Sequence, residues 1–209
     1  MTLDEISIQY GTDKSSLCHN YTPYYDMFFS PLRDKKLNLL EIGVWEGASL
    51  STWKDYFKNA TITGFDIDEK AQYNSDRINT FKGDQSNPFD LEDVNNKYGT
   101  FDIIIDDGSH ECDHMRKSFE TLFPLLQSGG LYCIEDCLCA YDKERWGSKE
   151  SIIDFIKEKI DDVQMNGIIS NYEICSNKKE QVKKYAANYW QKNIEWVFSS
   201  MGLVIIKKM

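Results

Sequence analysis

The stretch of residues 101–110 constrains the fold more than any other part of this sequence. Its first half is a short apolar run rich in β-branched residues, and it ends abruptly in Asp106, Asp107, a glycine, a serine and His110. An apolar run bounded by turn residues is typical of a strand buried on both faces of a parallel sheet. Because ligands of open α/β sheets bind at the carboxyl ends of the strands, this pattern predicts acids and a base at a ligand site.

Apolar runs alternate with helical patterns along most of the chain. Strands are predicted at 37–42, 61–66, 80–82, 101–106 and 131–135, and helices at 48–57, 114–126 and 151–163. Two final apolar runs, 194–198 and 203–206, are joined by a turn so short that they must be antiparallel. The alternation predicts an α/β fold with a mostly parallel sheet and an antiparallel edge.

The length of 209 residues predicts one domain, large enough to bury a core. Residues 1–35 are rich in Tyr and Phe and are predicted to form a helical or irregular cap, whereas residues 36–209 form the core around the sheet. The stretch 164–193 is rich in Gln, Lys and Asn and gives no structural prediction.

The charge of the chain excludes some classes of partner. A net charge of −10 argues against a nucleic-acid binder with a basic footprint and against docking to anionic membranes. No apolar run is long enough to predict a membrane-spanning helix, and the amino terminus lacks the basic and apolar regions of a signal peptide. The sequence leaves the oligomeric state open.

The cysteines indicate a reducing compartment. Six are present, and their spacing has no disulfide-framework regularity, so we expect a cytoplasmic location. Cys133, Cys137 and Cys139 lack the paired spacing and the matching histidines of a zinc site, which therefore is not expected.

A glycine turn follows the first predicted strand. Gly43 and Gly47 open a helix, with Glu41 before them and Glu46 between them. A dinucleotide site needs a different glycine spacing and a bare helix terminus, because carboxylates repel a pyrophosphate. Carboxylates suit a cationic ligand such as S-adenosylmethionine, which carries a sulfonium and an ammonium. The alternative is a tight turn whose glycines only permit packing.

Acids also end the second and third predicted strands. Asp66, with Asp68 as the second choice, is predicted to accept hydrogen bonds from ribose hydroxyls. Asp84, which follows the third strand, could accept from an exocyclic amine such as that of adenine. Asp84 could equally form an Asx turn.

The strongest candidate site combines the ends of the fourth and fifth strands. Asp107 follows the fourth strand, and Glu135 and Asp136 end the fifth. Neighbouring strands lie about 4.8 Å apart, so these acids can converge, which is unfavourable unless a cation neutralises them. Carboxylate oxygens suit Mg²⁺, Ca²⁺ or Mn²⁺. An imidazole at His110 suits a general base.

Other interpretations of this segment stay open. Asp107 or Ser109 could cap the following helix, with His110 an ordinary loop residue. His114 lies four residues beyond His110, so the two could share one helical face. The polar stretch 11–14, between aromatic residues, could be a lid or a substrate-facing segment, or the aromatic residues could simply pack the cap onto the sheet. Tyr141 and Trp146 could line a substrate pocket or anchor a loop.

Several of these segments together resemble a known family. They are GTDK, HNYTPYYDMFF, LLEIGVWEGASLSTWKDYF, GFDID, FKGDQS, FDIIIDDGSHECDHMRKSFETLFPLLQSGGLYCIED and the terminal WVFSSMGLVIIKK. The chain resembles the class I S-adenosylmethionine-dependent methyltransferases of the macrolide-sugar type, such as the mycinamicin and macrocin O-methyltransferases. The resemblance implies a Rossmann-like class I methyltransferase fold with a seven-stranded sheet that ends in an antiparallel hairpin.

The resemblance also assigns roles to residues. It implies Mg²⁺, or Mn²⁺, held by Asp107, Glu135 and Asp136, with His110 as the catalytic base and Asp107 counted with it as catalytic. The residues predicted to form the cofactor site are Glu41, Gly43, Gly47, Asp66, Asp84, Gln85 and Asp106.

The predicted function is a metal-dependent methyl transfer from S-adenosylmethionine to a sugar hydroxyl of a glycan or glycoside. Vicinal hydroxyls of phenolic, catechol-like molecules would chelate a metal equally well, so such a substrate is one alternative. A chain that binds S-adenosylmethionine without turnover, within a larger assembly, is another; His110 argues against it, because binding alone needs no base.

Overall fold

A computed structural model gives the structure of residues 1–146, 150–175 and 187–209, without the side chains of residues 143 and 168–175. Residues 176–186, part of the stretch 164–193 that has no structural prediction, lie outside these residues. None of the helices described is long and apolar enough to cross a membrane.

Seven strands form one sheet, as predicted. They are β1 Asn38–Ile42, β2 Thr61–Asp66, β3 Ile78–Lys82, β4 Ile103–Asp106, β5 Leu131–Ile134, β6 Ile194–Ser199 and β7 Val204–Lys208. The spatial order is β3-β2-β1-β4-β5-β7-β6. The first five strands in this order are parallel, and β7 runs antiparallel to both β5 and β6. The prediction of a Rossmann-like sheet with a terminal antiparallel hairpin is confirmed.

Helices connect the parallel strands and form the cap. The α-helices are α1 Leu3–Tyr10, α2 Thr22–Phe29, α3 Ala48–Tyr56, α4 Pro88–Tyr98, α5 Cys112–Leu122, α6 Lys143–Trp146, α7 Ile152–Cys175 and α8 Tyr189–Asn193. Short 3-10 turns lie at Ser30–Leu32, Ala71–Tyr73 and Cys137–Tyr141. The helix predicted at 114–126 ends at Leu122 instead, because Pro124 lacks the N–H group that a helix would need there.

The sheet is buried on both faces, which explains the continuous apolar runs of its strands. Successive strand residues point to opposite sides, so Leu40 and Ile104 pack under α4, α5 and α7. Leu39 and Ile103 pack on the other side, under the cap helices α1 and α2 and under α3. The cap is therefore part of the core on one face of the sheet.

The register of the parallel strands brings their carboxyl ends to one edge. Ile42 of β1 is paired with both Phe65 of β2 and Asp106 of β4. Asp106 is in turn paired with Ile134 of β5. The residues that follow these strands therefore meet at the same edge, and this is where the predicted site residues lie.

Candidate active site

A cleft of about 810 Å³ opens at the carboxyl ends of the strands. Its wall includes the segments 42–46, 65–68, 83–85 and 107–111, each of which follows a parallel strand, and the cap segment 11–14. The position agrees with the expectation for a ligand site in an open α/β sheet.

Gly43 lets the first turn approach the fourth strand end closely. Its φ is +89°, and a Cβ atom at this position would overlap the main-chain carbonyl of Asp107. Gly47 also has a positive φ, +74°, and caps the amino terminus of α3, with the ring of Tyr73 where its Cβ would lie. Gly43 lines the cleft, whereas Gly47 lies behind its wall.

Asp66 fixes the conformation of the glycine turn. Its Oδ2 accepts hydrogen bonds from the main-chain N–H of Val44 (2.8 Å) and of Trp45 (3.3 Å), and its Oδ1 accepts from the N–H of Asp68 (2.9 Å). The carboxylate still lines the cleft, and the exposed Asp68 lies beside it. The two acids considered for ribose therefore both face the cleft.

Asp84 and Gln85 lie on the cleft wall beyond β3. Hydrogen bonds from Ser86 lower the pKa of the Asp84 carboxyl below its usual value, so Asp84 presents a negative charge. Gln85 donates from Nε2 to Asp106 Oδ1 (2.6 Å) and accepts at Oε1 from the N–H of Ser109 (2.9 Å). Gln85 thus ties the third strand end to the turn that carries His110.

Glu41 and Asp106 are completely buried and do not line the cleft. Glu41 accepts hydrogen bonds from the Ser49 hydroxyl (2.7 Å) and from Trp53 Nε1 (3.2 Å). Asp106 accepts from Gln85 and from the hydroxyl of Tyr132. Burial raises the pKa of each carboxyl to about 7. Both acids, predicted to contact a cofactor, are placed by the structure behind the wall, where they order it.

The acids predicted to hold a metal divide into two groups. Among the described residues, Asp107, His110 and Asp136 each offer a ligand atom, and these atoms lie within 4.8 Å of one another. Glu135 is 1% exposed and faces the cap instead: its Oε1 accepts from the hydroxyl of Tyr25 (2.5 Å) and its Oε2 from the ammonium of Lys14 (3.0 Å).

Two residues of this group have left-handed backbones. The φ angle is +60° at His110 and +51° at Asp136. Such conformations cost roughly 1–3 kcal/mol each and collect at functional sites. They bring His110 Nε2 to 3.7 Å from Asp136 Oδ2, while Asp136 Oδ1 accepts from the hydroxyl of Tyr21 (2.7 Å). The rings of His110 and Trp146 also pack in a T-shaped arrangement, with 5.5 Å between centroids.

The second histidine has a different environment. His114 Nδ1 lies 2.9 Å from the hydroxyl of Ser109, and its Nε2 lies 3.6 Å from Glu111. The two histidines do not share a helical face, because α5 begins at Cys112, beyond His110. The structure thus leaves His110, and not His114, beside the acids.

Lys14 lies among the acids of this site, a position that sequence reasoning did not predict for it. The residue is 1% exposed, and its ammonium contacts Asp107 and Glu135 and lies 3.8 Å from Glu41. Burial alone would lower the pKa of this ammonium, but the surrounding carboxylates raise it well above its usual value. The only sequence signal was its place in the polar stretch 11–14, since Asp107 is 93 residues away along the chain.

The donor set fits a divalent cation. Asp107 and Asp136 offer half-buried carboxylates on two neighbouring strand ends, and hard oxygen ligands suit Mg²⁺ and Mn²⁺. Burial raises the pKa of Asp107 even beside Lys14. Asp107 and Asp136 thus offer two carboxylates beside His110, and Lys14 brings a positive charge into contact with Asp107.

Sequence comparison finds relatives of this chain among known methyltransferases. Residues 40–137 match the family described as a methyltransferase domain. The chain is 39% identical over 175 residues to a demethylmacrocin O-methyltransferase of Streptomyces fradiae, covering 78% of this chain and 44% of that protein. It is 44% identical over 146 residues to a mycinamicin VI 2''-O-methyltransferase of Micromonospora griseorubida, covering 66% and 37%.

A solved structure shows the same fold. It is the MycE methyltransferase from the mycinamycin biosynthetic pathway in complex with Mg, SAH and mycinamycin VI. It superposes on the whole chain with a TM-score of 0.84 and 32% identity, over 54% of its own length. The chain thus spans about half the length of that protein and less than half of the two curated relatives. The predicted resemblance to class I methyltransferases of the macrolide-sugar type is confirmed.

Proposed function

We propose that this chain is a metal-dependent O-methyltransferase that transfers the methyl group of S-adenosylmethionine to a sugar hydroxyl of a glycoside or glycan. One observation carries the proposal: two carboxylates and an imidazole, from Asp107, Asp136 and His110, converge at the end of a cleft in a methyltransferase domain. The relatives that are 39% and 44% identical are named for O-methylation of demethylmacrocin and of mycinamicin VI. Another relative, 40% identical over 143 residues, is named for 2'-O-methylation of a rhamnosyl tetracenomycin-C, which supports a sugar as the acceptor.

The cleft wall supplies the cofactor site in this proposal. Gly43, Asp66, Asp84 and Gln85 line the cleft and would contact S-adenosylmethionine, which supplies the methyl group. The negative wall suits its sulfonium and ammonium. The other predicted cofactor residues are Glu41, Gly47 and Asp106. They do not line the cleft and would support the cofactor site indirectly, by holding the glycine turn and the strand ends in place.

The acids would hold the metal. We assign Asp107 and Asp136 as its carboxylate ligands, and Glu135 as the third predicted by the resemblance, at present bonded to Lys14 and Tyr25. A bound Mg²⁺ or Mn²⁺ would supply Lewis acidity that lowers the pKa of an acceptor hydroxyl.

His110 would remove the proton of the acceptor hydroxyl at Nε2. The imidazolium that results would lie 3.7 Å from the carboxylate of Asp136. The rest of the site would act by positioning donor and acceptor, an effect that can contribute about 7–11 kcal/mol.

The proposal also covers the binding partners, the cellular location and the extent of the domain. We expect a sugar-containing small molecule or glycan as the substrate and no nucleic-acid partner, because the chain carries a net charge of −10. We place the chain in the cytoplasm on the basis of its cysteine pattern, and we treat residues 1–209 as one unit, since the cap packs against the sheet.

A panel of acceptors tests the proposal. The purified chain would be incubated with S-adenosylmethionine, Mg²⁺ and either glycosides with vicinal hydroxyls or catechols, and the products analysed by mass spectrometry. The expected product is a glycoside heavier by one methylene unit. If only the catechols are methylated, the acceptor is phenolic and the proposal of a sugar acceptor is wrong. If the chain binds S-adenosylmethionine but methylates nothing in the panel, the proposal of a methyltransferase is contradicted.

A further inference from the structure

Lys14 places a positive charge in the acidic cluster, the group of carboxylates formed by Asp107, Glu135 and Asp136. Its ammonium, with 2% of the side chain exposed, contacts the carboxylates of Asp107 and Glu135 and lies 3.8 Å from that of Glu41. These three acids come from the ends of β4, β5 and β1, so one cap residue joins three strand ends. A buried charge is costly unless it is paired, so the ammonium of Lys14 requires these carboxylates as partners.

Lys14 supplies a positive charge beside carboxylates that a divalent cation would also approach. Asp107, which contacts Lys14, shares the candidate metal cluster with His110 and Asp136. Without Lys14, the same carboxylates would present a stronger field to a cation.

Lys14 also restricts the directions in which the acids point. It binds Oδ2 of Asp107 and Oε2 of Glu135, while Tyr25 binds Oε1 of Glu135. Asp107 is thereby held in the orientation in which a ligand atom of its carboxylate lies within 4.8 Å of those of His110 and Asp136.

We infer that Lys14 is a positioning residue of the proposed metal site, a built-in cation that orients Asp107 and weakens divalent-cation binding by its charge. The inference rests on the proposed function. It makes a prediction that simple damage to the structure would not produce: loss of the lysine charge increases the affinity for a divalent cation.

The test measures Mn²⁺ binding by calorimetry, without any activity assay. Lys14→Met and Lys14→Gln should each lower the Mn²⁺ dissociation constant by about tenfold or more. Even at an effective dielectric constant of about 20, the repulsion between the lysine charge and an ion a few ångströms away is larger than the free energy of a tenfold change in the dissociation constant. Removal of the charge should therefore produce at least that change. A structural lesion would raise the dissociation constant instead.

Two further variants serve as controls. Lys14→Arg keeps the charge and should stay within about threefold of the wild-type dissociation constant, since the Coulomb interaction with the ion persists. Lys70→Met removes another cleft lysine, 3.9 Å from Asp66 and outside the acidic cluster, and should leave Mn²⁺ binding unchanged. If Lys14→Met does not fold, the comparison of Lys14→Gln with Lys14→Arg decides.

The outcomes separate this inference from the function beneath it. A wild-type chain that does not bind Mn²⁺, or whose Mn²⁺ binding survives Asp136→Asn, would overturn the proposed metal site and the role of Lys14 with it. Mn²⁺ binding that is lost in Asp136→Asn but unchanged or weaker in Lys14→Gln would overturn the role of Lys14 alone.

Discussion

Gly43→Ala should lower the free energy of unfolding substantially. Among the glycines with a positive φ at the strand ends, Gly43 should be the most sensitive to replacement by alanine. Alanine at a φ of +89° has a left-handed backbone, which costs about 1–2 kcal/mol. The new Cβ would also overlap the carbonyl of Asp107, and relieving such an overlap costs about 1–3 kcal/mol more. The expected total is about 2–5 kcal/mol of unfolding free energy.

A matched control isolates the second contribution. Gly129 has a similar φ of +77°, and a Cβ there would meet no atom within 4 Å. Gly129→Ala should therefore show the backbone cost alone, about 1–2 kcal/mol. For a chain of this size each kcal/mol corresponds to about 2–4 °C of Tm, so the two variants should differ by about 2–12 °C.

The assay is thermal unfolding of wild type and both variants by circular dichroism, with Mn²⁺ titrated in parallel. Gly43→Ala should also weaken Mn²⁺ binding, because relief of the overlap displaces Asp107. Equal losses of Tm in the two variants, with Mn²⁺ binding intact in both, would refute the close approach of the glycine turn to Asp107.

Three further predictions follow from the site. His110→Ala should lower kcat about 10²–10⁴-fold, the usual contribution of a general base, with Mn²⁺ affinity retained; a larger loss in His114→Ala would reverse the assignment. Asp66→Ala should weaken S-adenosylmethionine binding about tenfold to a hundredfold in calorimetry, because the glycine turn loses its hydrogen bonds, and Mn²⁺ binding should not change. Burial raises the pKa of Glu41 from 4.5 to about 7, so the free energy of unfolding should fall by about 3 kcal/mol as the pH rises through that window. Denaturant unfolding near pH 4 and pH 8 should show at least this loss in wild type, because Asp106 titrates in the same window, and a loss smaller by about 3 kcal/mol in Glu41→Gln; an identical loss in both would contradict the assignment.

The sheet could be predicted because its signals are local. Each parallel strand ends in an acid or is followed at once by glycine or an acid, and the alternation with helices indicates parallel pairing up to the terminal hairpin. The end of α5 was predicted four residues too late, because the apolar pattern continues past Pro124 while the backbone cannot.

The different environments of the acids could not be predicted, because they depend on partners that are far away in the sequence. Glu135 and Asp136 are neighbours in sequence, yet Glu135 faces Lys14 and Tyr25, and Asp136 faces His110. Lys14 lies 121 residues from Glu135, a contact that no local pattern reports. The sequence indicates which side chains reach the edge of the sheet, whereas packing of the cap decides which of them a lysine neutralises.

Metal dependence of methyl transfer is the most direct test of the account. Transfer of a labelled methyl group from S-adenosylmethionine to a glycoside with vicinal hydroxyls would be measured in a chelator and again after addition of Mg²⁺ or Mn²⁺. We predict that transfer is lost in the chelator and returns with either ion, and that Asp107→Ala and Asp136→Ala are inactive in both conditions while still binding the cofactor. Full transfer in the chelator, or in either variant, would contradict the account and leave Asp107 as a structural residue.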